Sequence, residues 1–206
     1  MMRRFAVTCG LAAVLIGISA CGAAHPSKFY QLSMPSSSAS ASAARIDTDL
    51  LVGRIVAPHL YRDDRIVYRT GSTQLGAYEY HRWAEPPTDT IESLLLRSLR
   101  DTGSYRSVSS MRSNARGDYI LRGRLNELDE VSGGSSSVSG RVDIDFELYS
   151  QKTGTVVWSK HYSNDESVSG KDVPAVVDAL NRNLQRAVEQ TVAGLADYFA
   201  KHPPEK

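Results

Sequence analysis

The chain has 206 residues, 24 Lys and Arg against 23 Asp and Glu, a formal net charge of +1 and 41% hydrophobic residues. Those figures suit one globular domain with a tail. They exclude a basic nucleic-acid footprint and a fully disordered chain, and two cysteines make neither a disulfide scaffold nor a four-cysteine zinc site.

Both cysteines lie within the first 21 residues. Met1-Met2-Arg3-Arg4 is a short basic segment, and the apolar run Phe5 to Ile18 is shorter than the roughly 20 residues a membrane span needs. The segment Ile18-Ser19-Ala20-Cys21 resembles the bacterial lipoprotein box, an aliphatic residue and two small residues before a cysteine. The resemblance implies a signal peptide over 1–20 and a mature chain whose first residue, Cys21, carries a diacylglyceryl thioether and an N-acyl chain. Several acyl chains hold a protein firmly on a membrane, at about 0.8 kcal/mol per buried methylene. Gly22, where sorting rules of Gram-negative lipoproteins would read an aspartate, implies the periplasmic face of the outer membrane. Processing removes Arg3, Arg4 and Cys9, leaves a formal charge of −1 and blocks the remaining sulfur. A thiolate nucleophile or cysteine-ligated metal is then excluded.

Residues 21–27 read as a tether. Lys28 to Leu32 is a short strand, and the Ser/Ala-rich stretch within 33–45 reads either as a tether or, the reading adopted, as a mobile loop inside a single domain spanning 28–202. Leu50 to Ala57, Arg65 to Arg69 and Gln74 to Trp83 follow as strands. Asp89 and Glu92 resemble a capping box for a helix over 89–100, whose Ile91, Leu94, Leu95, Ser98 and Leu99 share one face before Gly103 stops it. Tyr105 to Ser109 is a short edge strand.

Residues 119–149 alternate apolar and polar around Gly133-Gly134, which reads as a two-residue hairpin turn. Centring the hairpin there pairs Leu125 with Val142, Gly123 with Ile144, Leu121 with Phe146, Arg124 with Asp143 and Arg122 with Asp145. A second hairpin turns through Lys152-Thr153-Gly154 into Thr155 to Tyr162, followed by a polar stretch Ser163 to Lys171. Asp172 caps a long helix with Pro174 in its first turn and an apolar stripe from Val173 to Phe199. Residues 203–206 are a tail. The expected fold is α+β, a mostly antiparallel sheet with two helices packed on one face, the C-terminal one long.

No catalytic or cofactor motif emerges, and the chain reads as a non-enzyme. Asp101-Thr102-Gly103-Ser104 matches the aspartic-protease tetrapeptide, but it follows a helix rather than a strand. Asp143, Asp145 and Glu147 at period 2, with arginines opposite, read as a solvated face rather than a metal site. His59, His81 and His161 lack metal-ligand spacing.

The most distinctive residues are Pro58-His59-Leu60-Tyr61-Arg62-Asp63-Asp64-Arg65-Ile66-Val67-Tyr68-Arg69 and Arg82-Trp83-Ala84-Glu85-Pro86. They resemble the ABC-type transport auxiliary lipoprotein family, which includes the paraquat-inducible protein C lipoproteins. Here the family's Tyr-Leu order is reversed to Leu60-Tyr61, and Asp63-Asp64 precedes Arg65. The resemblance implies a periplasmic lipoprotein that works with an ABC transporter and an MCE-domain protein in moving lipids between membranes. It supplies no catalytic residue.

On that reading Cys21 anchors the domain while a surface docks the MCE assembly, and homo-oligomerisation stays open. Arg65, Arg69, Tyr78, Tyr80, Arg82 and Trp83 are the docking candidates, because Arg, Tyr and Trp dominate interface hot spots. Their alternative is structural, with Trp83 buried above the first helix and Arg82 paired to Glu85 or Glu79. Two other functions compete: a lipoprotein that binds peptidoglycan or activates a cell-wall synthase, and a lipid carrier with a cavity under the long helix.

Overall fold

In the computed structural model, residues 25–35, 45–132, 137–170 and 172–204 are described. Period-2 alternation of apolar and polar residues yields β1 (Lys28–Tyr30), β2 (Ile46–Val56), β3 (Arg65–Thr70), β4 (Gln74–Trp83), β5 (Tyr105–Ser110), β6 (Tyr119–Ser132), β7 (Val138–Ser150) and β8 (Thr155–Ser167). The 3.6-residue pattern yields α1 (Pro87–Asp101) and α2 (Val173–Lys201), and a 3-10 turn at His59–Tyr61 joins β2 to β3.

All eight strands form one mixed sheet, and β6 is its hub. Along one edge of β6 runs β7, antiparallel, and β7 in turn pairs with β8. The other edge is shared by two parallel partners, β2 beside residues 119–124 and β3 beside residues 129–132. The antiparallel pair β3–β4 and the parallel pair β1–β4 extend the sheet from β3, and β5 extends it from β2.

Both helices cover one face. Val142, Ile144, Phe146 and Leu148 of β7 lie fully buried with Leu180, Leu184, Val188 and Leu195 of α2. At roughly 1.5–3 kcal/mol per fully buried side chain, this seam is a major stabilising feature of the domain. The Asp172 carboxylate caps α2, accepting from the Ala175 amide at 3.1 Å, as expected from the sequence. Among the described residues no helix is long and apolar enough to cross a membrane.

Three expectations change. In the β6–β7 ladder Leu121 faces Leu148, Arg122 faces Glu147, Gly123 faces Phe146, Arg124 faces Asp145 and Leu125 faces Ile144, two residues away from the expected pairing. Ser132 faces Val138, so the connection takes five residues rather than two, and a bulge at Asn126 shifts the register once more. The Gly133-Gly134 turn itself lies outside the described residues, as do residues 36–44 of the Ser/Ala stretch and the signal and anchor residues 1–24. α1 starts at Pro87 without a side-chain cap, because Asp89 and Glu92 both accept from Arg112 instead, at 2.7 and 3.0 Å. Finally, β8 continues to Ser167 through the stretch expected to be irregular, held by pairs such as Arg141 with Asp165.

Candidate functional site

Around the β3–β4 hairpin the six docking candidates separate into surface and interior groups. Asp63 and Asp64 end the segment that enters β3, where each can meet an arginine. Arg65 reaches back to Asp63, donating from Nη2 and Nε at 2.9 and 3.0 Å, and Arg82 donates to Asp64 at 2.8 Å. Bonds from Asp64 and Arg65 hold the Asp63 carboxyl below the ordinary range. In this arrangement Arg82 pairs with Asp64 rather than with Glu85 or Glu79. Both arginines keep about a third or more of their surface exposed. Tyr80 is also exposed, and Glu79 beside it raises its hydroxyl pKa.

The other three are interior. Trp83 is 2% exposed and sits within the core. Tyr78 donates to Glu130 at 2.7 Å and packs against the Tyr68 ring, and burial followed by that bond pushes its hydroxyl pKa up. Arg69 donates to Glu127 at 2.6 Å and to Asp129 at 2.9 Å, and Asp129 has no exposed surface. Tyr61, from the 3-10 turn, is buried against this group, which ties the Tyr61 and Arg69 of the distinctive segment to one structural cluster. Burial outweighs Arg69 here and pushes the Asp129 carboxyl up to about 6. Two atoms in the cluster are buried without a hydrogen-bond partner, the Tyr61 hydroxyl and Asp129 Oδ1.

Composition alone did not single out Asp64 or Asp129 as partners. The available signal for Asp129 was an acidic pair, Asp129-Glu130, interrupting the alternation of a strand expected to be half buried.

The helix-free face of β6, β7 and β8 carries the remaining polar chemistry. Asp143, Asp145 and His161 bring ligand-capable atoms within 4.8 Å of one another. They are already bonded: Asn126 donates to Asp143 at 2.9 Å and to Asp145 at 2.7 Å, and His161 Nδ1 lies 2.8 Å from Asp145. Burial raises the Asp145 carboxyl pKa, but the Asn126 and His161 bonds outweigh it and leave it below the ordinary range. Arg122 donates to Glu147 at 3.2 Å. Each of the three carboxylates on this face, Asp143, Asp145 and Glu147, is met by a neighbour.

Beneath α2, Leu180, Leu184, Val188 and Leu195 are fully buried in the core. An apolar cleft of about 410 Å³ opens between the two helices, lined by Met34, Ile46, Tyr105, Val192, Ala193 and Ala196. At the Asp101-Thr102-Gly103-Ser104 tetrapeptide, Gly103 adopts φ +62° and the Thr102 hydroxyl donates to Leu99 O at 2.7 Å, so the segment closes α1.

The family model described as "ABC-type transport auxiliary lipoprotein component" matches residues 30–192. The crystal structure of a Xanthomonas campestris protein of the DUF330 family is similar at 21% identity and TM-score 0.78, covering 85% of this chain and 98% of that one. A second crystal structure, of an uncharacterized protein, is similar at 13% identity and TM-score 0.63, covering 83% of this chain and 99% of that one. A hypothetical protein of Chlamydia trachomatis shares the fold at 7% identity and TM-score 0.53, over 74% of this chain and 97% of that one. No curated protein matches the chain.

Proposed function

This chain belongs to the ABC-type transport auxiliary lipoprotein component family, and on that premise we propose that it is a non-catalytic, membrane-anchored docking subunit of an ABC transport system. The family match over residues 30–192 is the observation that carries the reading. In it, acylated Cys21 holds the domain on the periplasmic face of the outer membrane. The domain engages an MCE-domain protein, and the assembly moves lipid between the two envelope membranes.

Arg65 and Arg82 are the docking residues to test, because both are half-buried at the surface and each is matched by one carboxylate, Asp63 or Asp64. A partner carboxylate can compete for such pairs at little cost, since surface salt bridges are worth about 0–1 kcal/mol. Arg69 is a poor probe of docking, since removing it unpairs the buried Asp129.

The test is photo-crosslinking in intact cells from residues 65 and 82, with mass spectrometry of the adducts and of the mature N-terminus. Adducts to an MCE-domain protein or transporter subunit, together with an acylated residue 21 in the outer-membrane fraction, are expected. Adducts to a cell-wall synthase instead would overturn the transport role. An unmodified Cys21 would overturn the anchor.

A further inference from the structure

At the N-terminal edge of the sheet, β1 pairs only with β4 among the described residues. Phe29 stands in its middle, 63% exposed, the most exposed large apolar side chain among the described residues. Phe29 lies opposite Arg82 in the β1–β4 register, and Tyr80, 37% exposed, is two residues before Arg82 on the same strand. His25 folds back so that its ring meets the Tyr80 ring edge-on at 5.5 Å between centroids. Lys28, also exposed, sits beside Phe29. Two exposed aromatic side chains on one face of an edge, with Lys28 preceding Phe29 on the strand, form the composition that settles at the headgroup level of a bilayer, where ring bodies are buried and polar ends stay wet.

Chain length supplies the occupant. Phe29 is eight residue steps from Cys21, so a fully extended segment reaches about 28 Å. From His25, whose ring meets Tyr80, back to Cys21 is four residue steps, a span of at most about 14 Å. A domain tied that closely presents the root of its tether to the membrane holding it. We propose that Phe29 and Tyr80 form a membrane-contact patch that seats this edge of the sheet in the headgroup layer of the anchoring bilayer. The proposal rests on the anchor reading above. It adds an orientation: β1 and β4 face the lipid, and Met111, at the end of the opposite edge strand β5 and 52% exposed, is the reference position away from it.

The experiment uses the full-length chain, processed in cells, with Phe29→Cys or Met111→Cys as the one thiol open to labelling once Cys9 is removed and Cys21 is acylated. Each variant carries an environment-sensitive fluorophore and is reconstituted on phosphatidylethanolamine–phosphatidylglycerol vesicles with or without brominated acyl chains. Expected are a blue shift and loss of emission at position 29 on brominated vesicles, and neither change at position 111. Tyr80→Ser in the Phe29→Cys background should reduce that loss. Protein that floats with the vesicles while its residue 29 label stays unquenched overturns the patch and leaves the anchor standing. A blue shift at position 29 of equal size on brominated and unbrominated vesicles, with no loss of emission, overturns it in favour of a protein interface. Protein that neither floats nor carries acyl mass on Cys21 overturns the anchor reading, and the patch with it.

Discussion

Arg69 of β3 donates from Nε to Asp129 of β6 at 2.9 Å, joining two parallel strands through a carboxylate that has no exposed surface. Removing the guanidinium leaves this carboxylate buried beside Glu127 without its counter-charge. Arg69→Ala should therefore lose about 3–5 kcal/mol of unfolding free energy at pH 7, measured in urea. A loss under about 1 kcal/mol, the size expected of a surface pair, would show that the group is solvated.

The same carboxylate predicts a pH dependence. Asp129 titrates at about 6 in the fold, against about 4 for an unfolded aspartate, so between those values the folded state holds the extra proton. Stability tied to this group is full below about pH 4 and is lost as pH rises through about 6. The Asp129→Asn variant is neutral throughout and lacks that slope. Wild type should lose roughly 2–3 kcal/mol relative to the variant between pH 4 and pH 7. A pH-independent difference in urea midpoints would contradict the raised value.

The Tyr61 hydroxyl is buried without a hydrogen-bond partner. Deleting it removes a desolvation cost and only a weak approach of the Arg69 guanidinium, so Tyr61→Phe should be neutral or stabilising by up to about 1 kcal/mol. Thermal unfolding of the two proteins in parallel decides this. A clear fall in Tm would mean the hydroxyl has a partner, for instance an internal water.

Asn183 is the opposite case. It lies fully buried on α2, donates to Gly140 O at 2.9 Å and Asn164 O at 2.7 Å, and accepts from the Tyr162 hydroxyl at 2.6 Å and Asn164 Nδ2 at 3.1 Å. This one side chain fixes the helix against β7 and β8. Asn183→Ala unpairs two carbonyls and the Asn164 amide and leaves the Tyr162 hydroxyl only its bond to the residue 183 carbonyl at 3.2 Å, and should cost about 2–4 kcal/mol in a urea titration. Asn183→Leu at a similar cost would assign the loss to the polar bonds rather than to the space vacated.

What could be read from the chain beforehand follows from the range of each signal. α2 was legible because an unbroken stripe from Val173 to Phe199 and the Asp172 cap are local features. The β6–β7 register was not. Alternation of period 2 is satisfied equally by pairings two residues apart, so Arg124 finds an aspartate opposite whether it faces Asp143 or Asp145. Only the length of the connection and the Asn126 bulge decide. Asp89 and Glu92 look like a cap in isolation, yet Arg112, about 20 residues on, claims both. Among the docking candidates, residue type identified Arg65 and Arg82 as well as it did Trp83. Their separation into outside and inside depends on the irregular β3–β4 register, where two steps on β3, Arg65 to Val67, span five on β4, Arg82 to Ala77.

The position of β6 also governs when the domain can form. Leu50 of β2 pairs with Tyr119 and Val67 of β3 with Asp129, so two early strands wait for a partner made some 60 to 70 residues later. Loops of that length must close before their hydrogen bonds repay the entropy, which makes such pairings slow. A nascent chain ending before residue 119 therefore shows two unmatched strand edges, and holding those edges apart falls to whatever escorts it until β6 arrives.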